Sequence, residues 1–296
     1  MAISGPQSQV EFIAGAGDLP LAVERWPNRG GERVILLHGG GQTRHAWGDT
    51  AASLAGLGFD VASMDLRGHG DSGWCERRDY RLDAFRDDLR AVLSTDPRPA
   101  ALVGASLGGI AALAVAGEEP RNRVTALVLV DITHSLPADG AARIQRFMGA
   151  DPDGFASLDE AVDAVAAYLP HRPRPKDPSG LLKNLRARDG RLHWHWDPRF
   201  PDAALVDRVT DPARLERALV NVTAPTLLVR GDQSEIVSSE DAEAFMRLVP
   251  HARVVEIAGA RHMVAGDRNT DFGRAVMAFL SALAPGSVAP AFIKTH

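Results

Sequence analysis

Over its first 130 residues, the chain alternates short apolar runs with helical stretches. The runs are nearly continuous, as in RVILLH at 33–38, which is typical of strands buried on both faces. Because strands that alternate with helices form a parallel sheet covered on both sides, the sequence predicts an α/β protein. The predicted strands lie at 33–38, 59–64, 100–104 and 124–130, and the predicted helices lie at 47–57, 82–94 and 107–117.

The pattern is flanked by an expected edge hairpin and by a later continuation of the sheet. Two short apolar runs at 10–14 and 21–26 are joined by a stretch rich in Gly, Asp and Pro, which predicts the hairpin. The alternation stops near residue 132 and resumes at 225. The later strands are predicted at 226–230 and 253–257, and the later helices at 240–248 and 270–283.

The interval between these two parts interrupts the sheet. It contains a predicted helix at 158–168, the Pro-rich HRPRPKDP at 171–178 and the aromatic HWHWDPRF at 193–200. An insertion of this size inside a parallel sheet is expected to be a helical lid. We therefore predict a core domain from residues 1–131 and 221–296, with a lid subdomain at 132–220.

Composition narrows the classes of function. The formal net charge is −5 and no long basic run occurs, which disfavours a nucleic-acid partner. No apolar stretch is long enough to span a membrane, and the N-terminus lacks the pattern of a signal peptide. A single cysteine, Cys75, excludes an intrachain disulfide and multi-Cys metal sites. We expect a cytoplasmic enzyme that acts on a small molecule without metal or cofactor; a homodimer is compatible with these features.

The strongest chemical motif is GASLGG at 104–109, between a predicted strand and an Ala-rich helix. It matches G-x-S-x-G with Gly104, Ser106 and Gly108. A serine on a tight strand-to-helix turn has a strained backbone, and only small neighbours allow the turn to close. Its hydroxyl then projects above the sheet beside the positive end of a helix. Ser106 is the candidate nucleophile.

Two further Gly-rich loops follow predicted strands at the same edge of the sheet. In HGGG at 38–41, the glycines allow backbone N–H groups to face a cleft. The N–H of Gly40, or that of Gly41, together with that of Leu107, is a candidate oxyanion hole. DLRGHGDS at 65–72 is interpreted as structural, with His69 as a turn residue rather than a base.

In this combination and order, the sequence resembles the α/β-hydrolases from about residue 20 to 284. The four motifs are HGGG, DLRGHGDS, GASLGG and the late GARHMV at 259–264. The resemblance implies a mostly parallel eight-stranded sheet flanked by helices, with the lid inserted after the sixth strand. It also implies a catalytic triad in the chain order serine, acid, histidine.

The resemblance implies that the base is a late histidine, and His262 is the only histidine between 252 and 295. In the family this loop usually reads G-x-G-H, whereas here Arg261 replaces the second glycine. Met263, next to the base, is a candidate for substrate contact, with core packing as the alternative.

The acid has more than one candidate. The family usually places it in G-x-x-D after the strand that here reads TLLVRG, but that position is Ser234. A minority of members place it after the preceding core strand, where LVLVD ends in Asp131. An aspartate at the end of a buried strand is costly unless it is paired, which favours Asp131 as the partner of His262. Asp232 and Glu235 are the alternatives.

Aromatic side chains in the predicted lid favour an apolar substrate. Trp194, Trp196 and Phe200 are candidates for substrate contact, and packing within the lid is an equal alternative. Gly41 of the HGGG loop is a further candidate for substrate contact. We expect a serine hydrolase that cleaves carboxylic esters or lactones through an acyl-enzyme on Ser106. The alternatives are a carbon–carbon bond hydrolase or cofactor-free perhydrolase on the same fold, and a non-catalytic ligand receptor.

Overall fold

A mostly parallel sheet of eight strands forms the centre of the molecule. The structure is a computed structural model that describes residues 7–120, 122–170, 174–200, 211–261 and 269–283. The strands of this sheet are β1 (Gln9–Ala14), β2 (Pro20–Trp26), β3 (Arg33–Leu37), β4 (Asp60–Met64), β5 (Ala100–Ala105), β6 (Val124–Val130), β9 (Thr226–Gly231) and β10 (Arg253–Ile257).

The order of the strands is β1-β2-β4-β3-β5-β6-β9-β10. The β1–β2 and β2–β4 pairs are antiparallel, and the other pairs are parallel. Every residue of β3, β5 and β9 is buried, as their continuous apolar runs predict. In a parallel sheet the carboxyl ends of neighbouring strands meet at one edge, so the loops after β3, β5, β6 and β9 gather there.

Helices cover both faces of the sheet. They are α1 (Gly48–Gly56), α2 (Leu82–Ser94), α3 (Leu107–Glu118), α4 (Ala138–Met148), α5 (Leu158–Tyr168), α6 (Pro212–Asn221), α7 (Ser239–Leu248) and α8 (Asn269–Leu283). The first nine residues of α3 are all buried, and this helix packs between α2 and α6.

The alternation of side chains along the strands divides the core into two layers. On β3, Ile35 and Leu37 face the layer that includes α2, α3, α6 and α7, whereas Val34 and Leu36 face the layer of α1 and α8. Both layers are continuous across the sheet, so the strands are held from two sides. The predicted α/β-hydrolase fold with its eight-stranded sheet is confirmed.

Between β6 and β9, the inserted segment of residues 132–220 contains α4, α5 and all but the last residue of α6. The helix predicted at 158–168 is present with the predicted bounds, whereas α4 and α6 were not predicted. The description of this segment as helical was incomplete, because it also forms an antiparallel hairpin of β7 (Leu185–Arg188) and β8 (Arg191–Trp194). Asp189 and Gly190 make its turn, both at positive φ.

The inserted segment has a small apolar cluster of its own. Its buried members are Met148, Phe155, Ala161, Leu185, Trp194 and Trp196.

Within the described residues, no helix is long and apolar enough to cross a membrane.

Candidate active site

Ser106 lies at the turn between β5 and α3 with an unusual backbone. Its φ is +45° and its ψ is −114°, a conformation that a residue with a side chain rarely adopts. Hydrogen bonds on both sides hold this turn: the N–H of Ser106 donates to the carbonyl of Val130 over 3.1 Å, and its carbonyl accepts from the N–H of Ile110 over 3.0 Å. The strained serine is therefore fixed between a buried strand and a helix N-terminus.

The glycines around Ser106 are required by close backbone contacts. A Cβ on Gly104 would lie 2.4 Å from the carbonyl oxygen of Gly108, and a Cβ on Gly108 would lie 2.6 Å from that of His38. Real Cβ atoms do not approach backbone atoms this closely. The turn can close only with glycine at both positions, as the G-x-S-x-G pattern predicts.

The HGGG loop passes directly beside the serine. A Cβ on Gly39 would lie 3.4 Å from the Cβ of Ser106, and the N–H of Gly108 donates to the carbonyl of His38 over 3.1 Å. The N–H of Leu107 belongs to the first residue of α3, where no preceding helical turn supplies an acceptor. Gly40 and Leu107, the predicted oxyanion donors, thus lie on two segments that meet at Ser106.

His38 joins the HGGG loop to the loop after β4. Its Nδ1 lies 2.7 Å from the carbonyl of Gly39, and its Nε2 accepts the N–H of Leu66 over 2.9 Å. Because a peptide N–H can only donate, Nδ1 carries the proton. Burial, with a smaller effect of Arg44, lowers the pKa of His38 to about 4, so the ring is neutral near pH 7. His38 is a structural link rather than a base.

Asp131 follows β6 at the same level of the sheet as Ser106 follows β5. Ala105 of β5 and Val130 of β6 are paired in the register, and Ser106 and Asp131 are the residues that directly follow this pair. Asp131 is 1% exposed and has a φ of +50°. Its Oδ2 accepts a 2.8 Å hydrogen bond from the hydroxyl of Ser234, the residue that occupies the family's usual acid position.

The two alternative acids, Asp232 and Glu235, bind other groups of the protein. Asp232 accepts the N–H of Gly259 over 2.8 Å at the surface, which ties together the loops after β9 and β10. Glu235 is exposed and pairs with Arg143 and Arg261. Both carboxylates have structural partners on the protein surface, which favours Asp131 as the acid.

The predicted base, His262, and Met263 lie outside the described residues. The last described residues before them pack against the loop after β9, since the N–H of Gln233 donates to the carbonyl of Ala260 over 3.1 Å. This contact places residue 260 at the edge of the sheet where the other site loops gather. The assignment of His262 remains a prediction.

The structure gives the predicted substrate-contacting aromatics different surroundings. Trp196 lies against the HGGG loop, since a Cβ on Gly41 would be 3.5 Å from its ring. Trp194 stacks on Trp196 on the side of the inserted segment, where it lies edge-on to Phe155. Phe200 packs edge-on against Tyr80 and other core rings. Packing therefore accounts for Trp194 and Phe200, whereas Trp196 borders the candidate site.

Two residues of the inserted segment at this site were missed by the sequence analysis. Met148, at the end of α4, has its Sδ 3.8 Å from where a Cβ on Gly40 would lie, and its carbonyl accepts the indole N–H of Trp196 over 3.1 Å. His195 contacts the carbonyl of Gly41. His195 lies in the aromatic cluster at 193–200, but the cluster does not indicate contact with the HGGG loop, and Met148 lies outside it.

A strained serine between a buried parallel strand and a helix, with a glycine loop beside it, is the arrangement found in α/β hydrolases. The chain belongs to this family: the family model described as alpha/beta hydrolase fold matches residues 32–268.

Similar proteins include several hydrolases. Esterase Rv0045c of Mycobacterium tuberculosis is 34% identical over 90% of this chain and 87% of its own, and its crystal structure superposes with a TM-score of 0.72 over 94% and 92% of the two chains. The 3-hydroxybutyrate-oligomer hydrolase of Cupriavidus necator is 26% identical over 86% of this chain and 90% of its own. The structure of an E-2-(acetamidomethylene)succinate hydrolase, 22% identical, shares the fold with a TM-score of 0.79 over 93% and 99% of the chains.

Proposed function

We propose that this protein is a serine esterase that cleaves carboxylic esters or lactones of small, mostly apolar molecules through an acyl-enzyme on Ser106. Its family, together with relatives named as an esterase and an oligomer hydrolase, supports an ester-hydrolysing enzyme. The observation that carries the choice of nucleophile is the backbone of Ser106, held at a φ of +45° beside the HGGG loop.

In the first half of the reaction, the hydroxyl of Ser106 attacks the carbonyl carbon while His262 takes its proton. The oxyanion is stabilised by the N–H groups of Gly40 and Leu107. Asp131 orients the imidazole and stabilises its charged form. The imidazolium then gives its proton to the leaving alcohol as the carbon–oxygen bond breaks.

In the second half, His262 takes a proton from water, which attacks the acyl-enzyme, and the carboxylic acid leaves as the proton returns to Ser106. An apolar substrate is supported by Met148 and Trp196, which lie against the glycines of the HGGG loop.

The proposal is tested with p-nitrophenyl acetate, butyrate and octanoate, a set of lactones, and a β-diketone. We expect wild-type protein to hydrolyse esters or lactones, and a fluorophosphonate probe to label Ser106 in peptide mapping. Ser106→Ala should lower kcat by roughly 10⁴-fold or more. Ser94→Ala, which removes an exposed hydroxyl on α2, is the control and should match wild type.

Two results would overturn the proposal. Full esterase activity in Ser106→Ala would remove the nucleophile. Cleavage of the β-diketone with no ester or lactone hydrolysis would assign carbon–carbon chemistry to the same fold.

A further inference from the structure

His195 connects the inserted segment to two loops of the core. It directly follows β8 in the chain, is 1% exposed, and lies between the HGGG loop and the loop after β4. Its Nδ1 lies 2.7 Å from the backbone nitrogen of Gly70, and its Nε2 lies 3.3 Å from the carbonyl oxygen of Gly41. One buried ring therefore contacts both loops.

The partners of His195 determine its tautomer. The peptide N–H of Gly70 can only donate, so Nδ1 accepts and carries no proton. The neutral ring then has its proton on Nε2, which donates to the carbonyl of Gly41. Burial, and the nearby His69 and His38 rings, lower the pKa of His195 well below its ordinary value, which keeps this tautomer neutral.

The bond to Gly41 acts on a turn that has little intrinsic stiffness. Three consecutive glycines, 39–41, lack the side chains that restrict backbone angles, and Gly41 has a φ of +73°. Gln42 closes this turn across Gly40 and Gly41: the N–H of Gly39 donates to the side chain of Gln42 over 2.9 Å, and the N–H of Gln42 donates to the carbonyl of Gly39 over 3.1 Å. His195 adds a further restraint on the carbonyl of Gly41, inside the closed turn and next to Gly40.

We propose that His195 is a positioning residue for the oxyanion hole: its Nε2–H holds the carbonyl of Gly41 and so fixes the turn that carries the N–H of Gly40. This inference rests on the proposed esterase function. Oxyanion donors act when they are aimed in advance at the position where charge develops. A glycine turn that is closed only by Gln42, without the bond from His195, would lose part of this alignment in the transition state.

Two polar anchors of the same segment, Asp197 and Arg186, bind core residues outside the HGGG loop. Asp197 donates its N–H to the carbonyl of Gly68 over 2.8 Å and accepts the hydroxyl of Tyr80. Arg186 binds Asp71 over 2.6 Å. These bonds attach the segment to the core independently of Gly41. A variant that removes one of them therefore tests whether loss of anchoring alone changes the activity.

Two conservative variants divide the functions of the ring. In His195→Gln, the side-chain amide nitrogen takes the place of Nε2 and donates to Gly41. In His195→Asn, the amide oxygen takes the place of Nδ1 and accepts from Gly70, but nothing reaches Gly41. Tyr80→Phe is the matched control, because it removes an anchor of the segment that is remote from the HGGG loop.

The measurements are kcat and KM for p-nitrophenyl butyrate and the Ki of a trifluoromethyl ketone, which forms an oxyanion on the serine. We expect His195→Asn to lose kcat by about 10- to 100-fold with KM changed less than about threefold, and to bind the ketone correspondingly more weakly. His195→Gln should retain kcat within about fivefold of wild type, and Tyr80→Phe should match wild type in kcat.

Equal losses of kcat in the Asn and Gln variants would overturn the inference, as would a lowered Tm with unchanged kcat and Ki in the Asn variant. If His195→Asn does not fold, His195→Met fills the buried space without a polar group and is expected to show the same loss of kcat; wild-type kcat in that variant would also overturn it. Wild-type protein that neither hydrolyses esters nor reacts with the fluorophosphonate contradicts the proposed function instead.

Discussion

The hydroxyl of Ser234 donates a 2.8 Å hydrogen bond to Oδ2 of Asp131, between loops that follow neighbouring strands. The same oxygen of Ser234 accepts the N–H groups of Ile236 and Val237 over 3.1 and 3.0 Å, which leaves its proton for the carboxylate. A serine thus stands where the family usually has its acid, and it orients a carboxylate from the strand beside it. This arrangement supports Asp131 as the third member of the triad.

Asp131→Asn is predicted to lower kcat by about 10⁴-fold, because the amide no longer stabilises the charged imidazole. Asp232→Asn and Glu235→Gln, at surface carboxylates with structural partners, should stay within about fivefold of wild type. Steady-state kinetics on p-nitrophenyl butyrate, with thermal melts to establish folding, compare the three. A larger loss of kcat in either surface variant than in Asp131→Asn would reassign the acid.

Ser234→Ala is predicted to lower kcat/KM by roughly 10- to 100-fold. It removes a hydrogen bond to a charged group, an interaction of about 1.5–3 kcal/mol, from Asp131, the proposed acid of the triad. Ser238→Ala is the control, since Ser238 caps α7 and its loss should reduce stability by about 1 kcal/mol with kcat unchanged. If both variants lose only stability, Ser234 has no part in orienting the acid.

Met148→Ala is predicted to shift the preference of the enzyme towards longer acyl chains. The Met148 side chain lies against Gly40 and Gly41, so its removal enlarges the space beside the candidate oxyanion hole. We expect the ratio of kcat/KM for octanoate to that for acetate to rise at least about fivefold, since one methylene in an apolar pocket contributes 10-fold or more. Met277→Ala, on α8 in the core layer between the sheet and α1 and α8, should leave the ratio unchanged.

The elements of the central sheet were predictable because strands that are buried on both faces have nearly continuous apolar runs in the local sequence. The strands 124–130 and 253–257 and the helices 82–94 and 158–168 have the predicted bounds, and the other predicted elements differ by one residue at one or both ends. The elbow, which is the strand-to-helix turn at Ser106, was predictable for a similar reason at Gly104, whose close contacts are with Gly108 and Gly109 in the same motif; Gly108 instead meets the carbonyl of His38, 70 positions earlier.

The inserted segment was less predictable because its structure depends on distant contacts. The hairpin β7–β8 had a local signal, the Asp189–Gly190 turn, which the sequence analysis did not use. The contact of His195 with Gly41 spans 154 positions, and that of Met148 with Gly40 spans 108. No local pattern encodes such pairs, so these two residues of the site became visible only in the structure.

Gly104→Ala is predicted to reduce the free energy of unfolding by about 3 kcal/mol or more, because the new Cβ meets backbone atoms that no side-chain movement can clear. Gly56→Ala, at an exposed helical position with open space around it, should instead stabilise the protein by up to about 1 kcal/mol. Urea denaturation of the two variants gives the comparison. Similar stability in both would show that the elbow tolerates a side chain.

Three buried histidines lie together where the inserted segment meets the core, with ring centroids 5.3 Å apart for His38 and His69 and 5.8 Å apart for His69 and His195. Burial has the largest effect and lowers the pKa of each ring below its ordinary value. Arg44 lowers the pKa of His38 further, and Arg186 lowers that of His195. Asp65 and Asp197 act in the opposite direction on His69 but do not offset its burial.

The cluster predicts a loss of stability as the pH falls below about 6.5. In the unfolded chain each histidine binds a proton near that pH, whereas burial lowers the pKa of His38 to about 4 and that of His69 to about 3 in the folded protein. The unfolded state therefore binds more protons, and each ring contributes a slope approaching about 1.4 kcal/mol per pH unit towards pH 5. His69→Asn keeps a donor for the carbonyl of Arg67 but cannot titrate, so the free energy of unfolding should fall less steeply between pH 6.5 and 5. Urea denaturation across this range measures the slope, with the surface variant His251→Asn as the control. An unchanged slope in His69→Asn would mean that this ring is protonated in the folded state at pH 5.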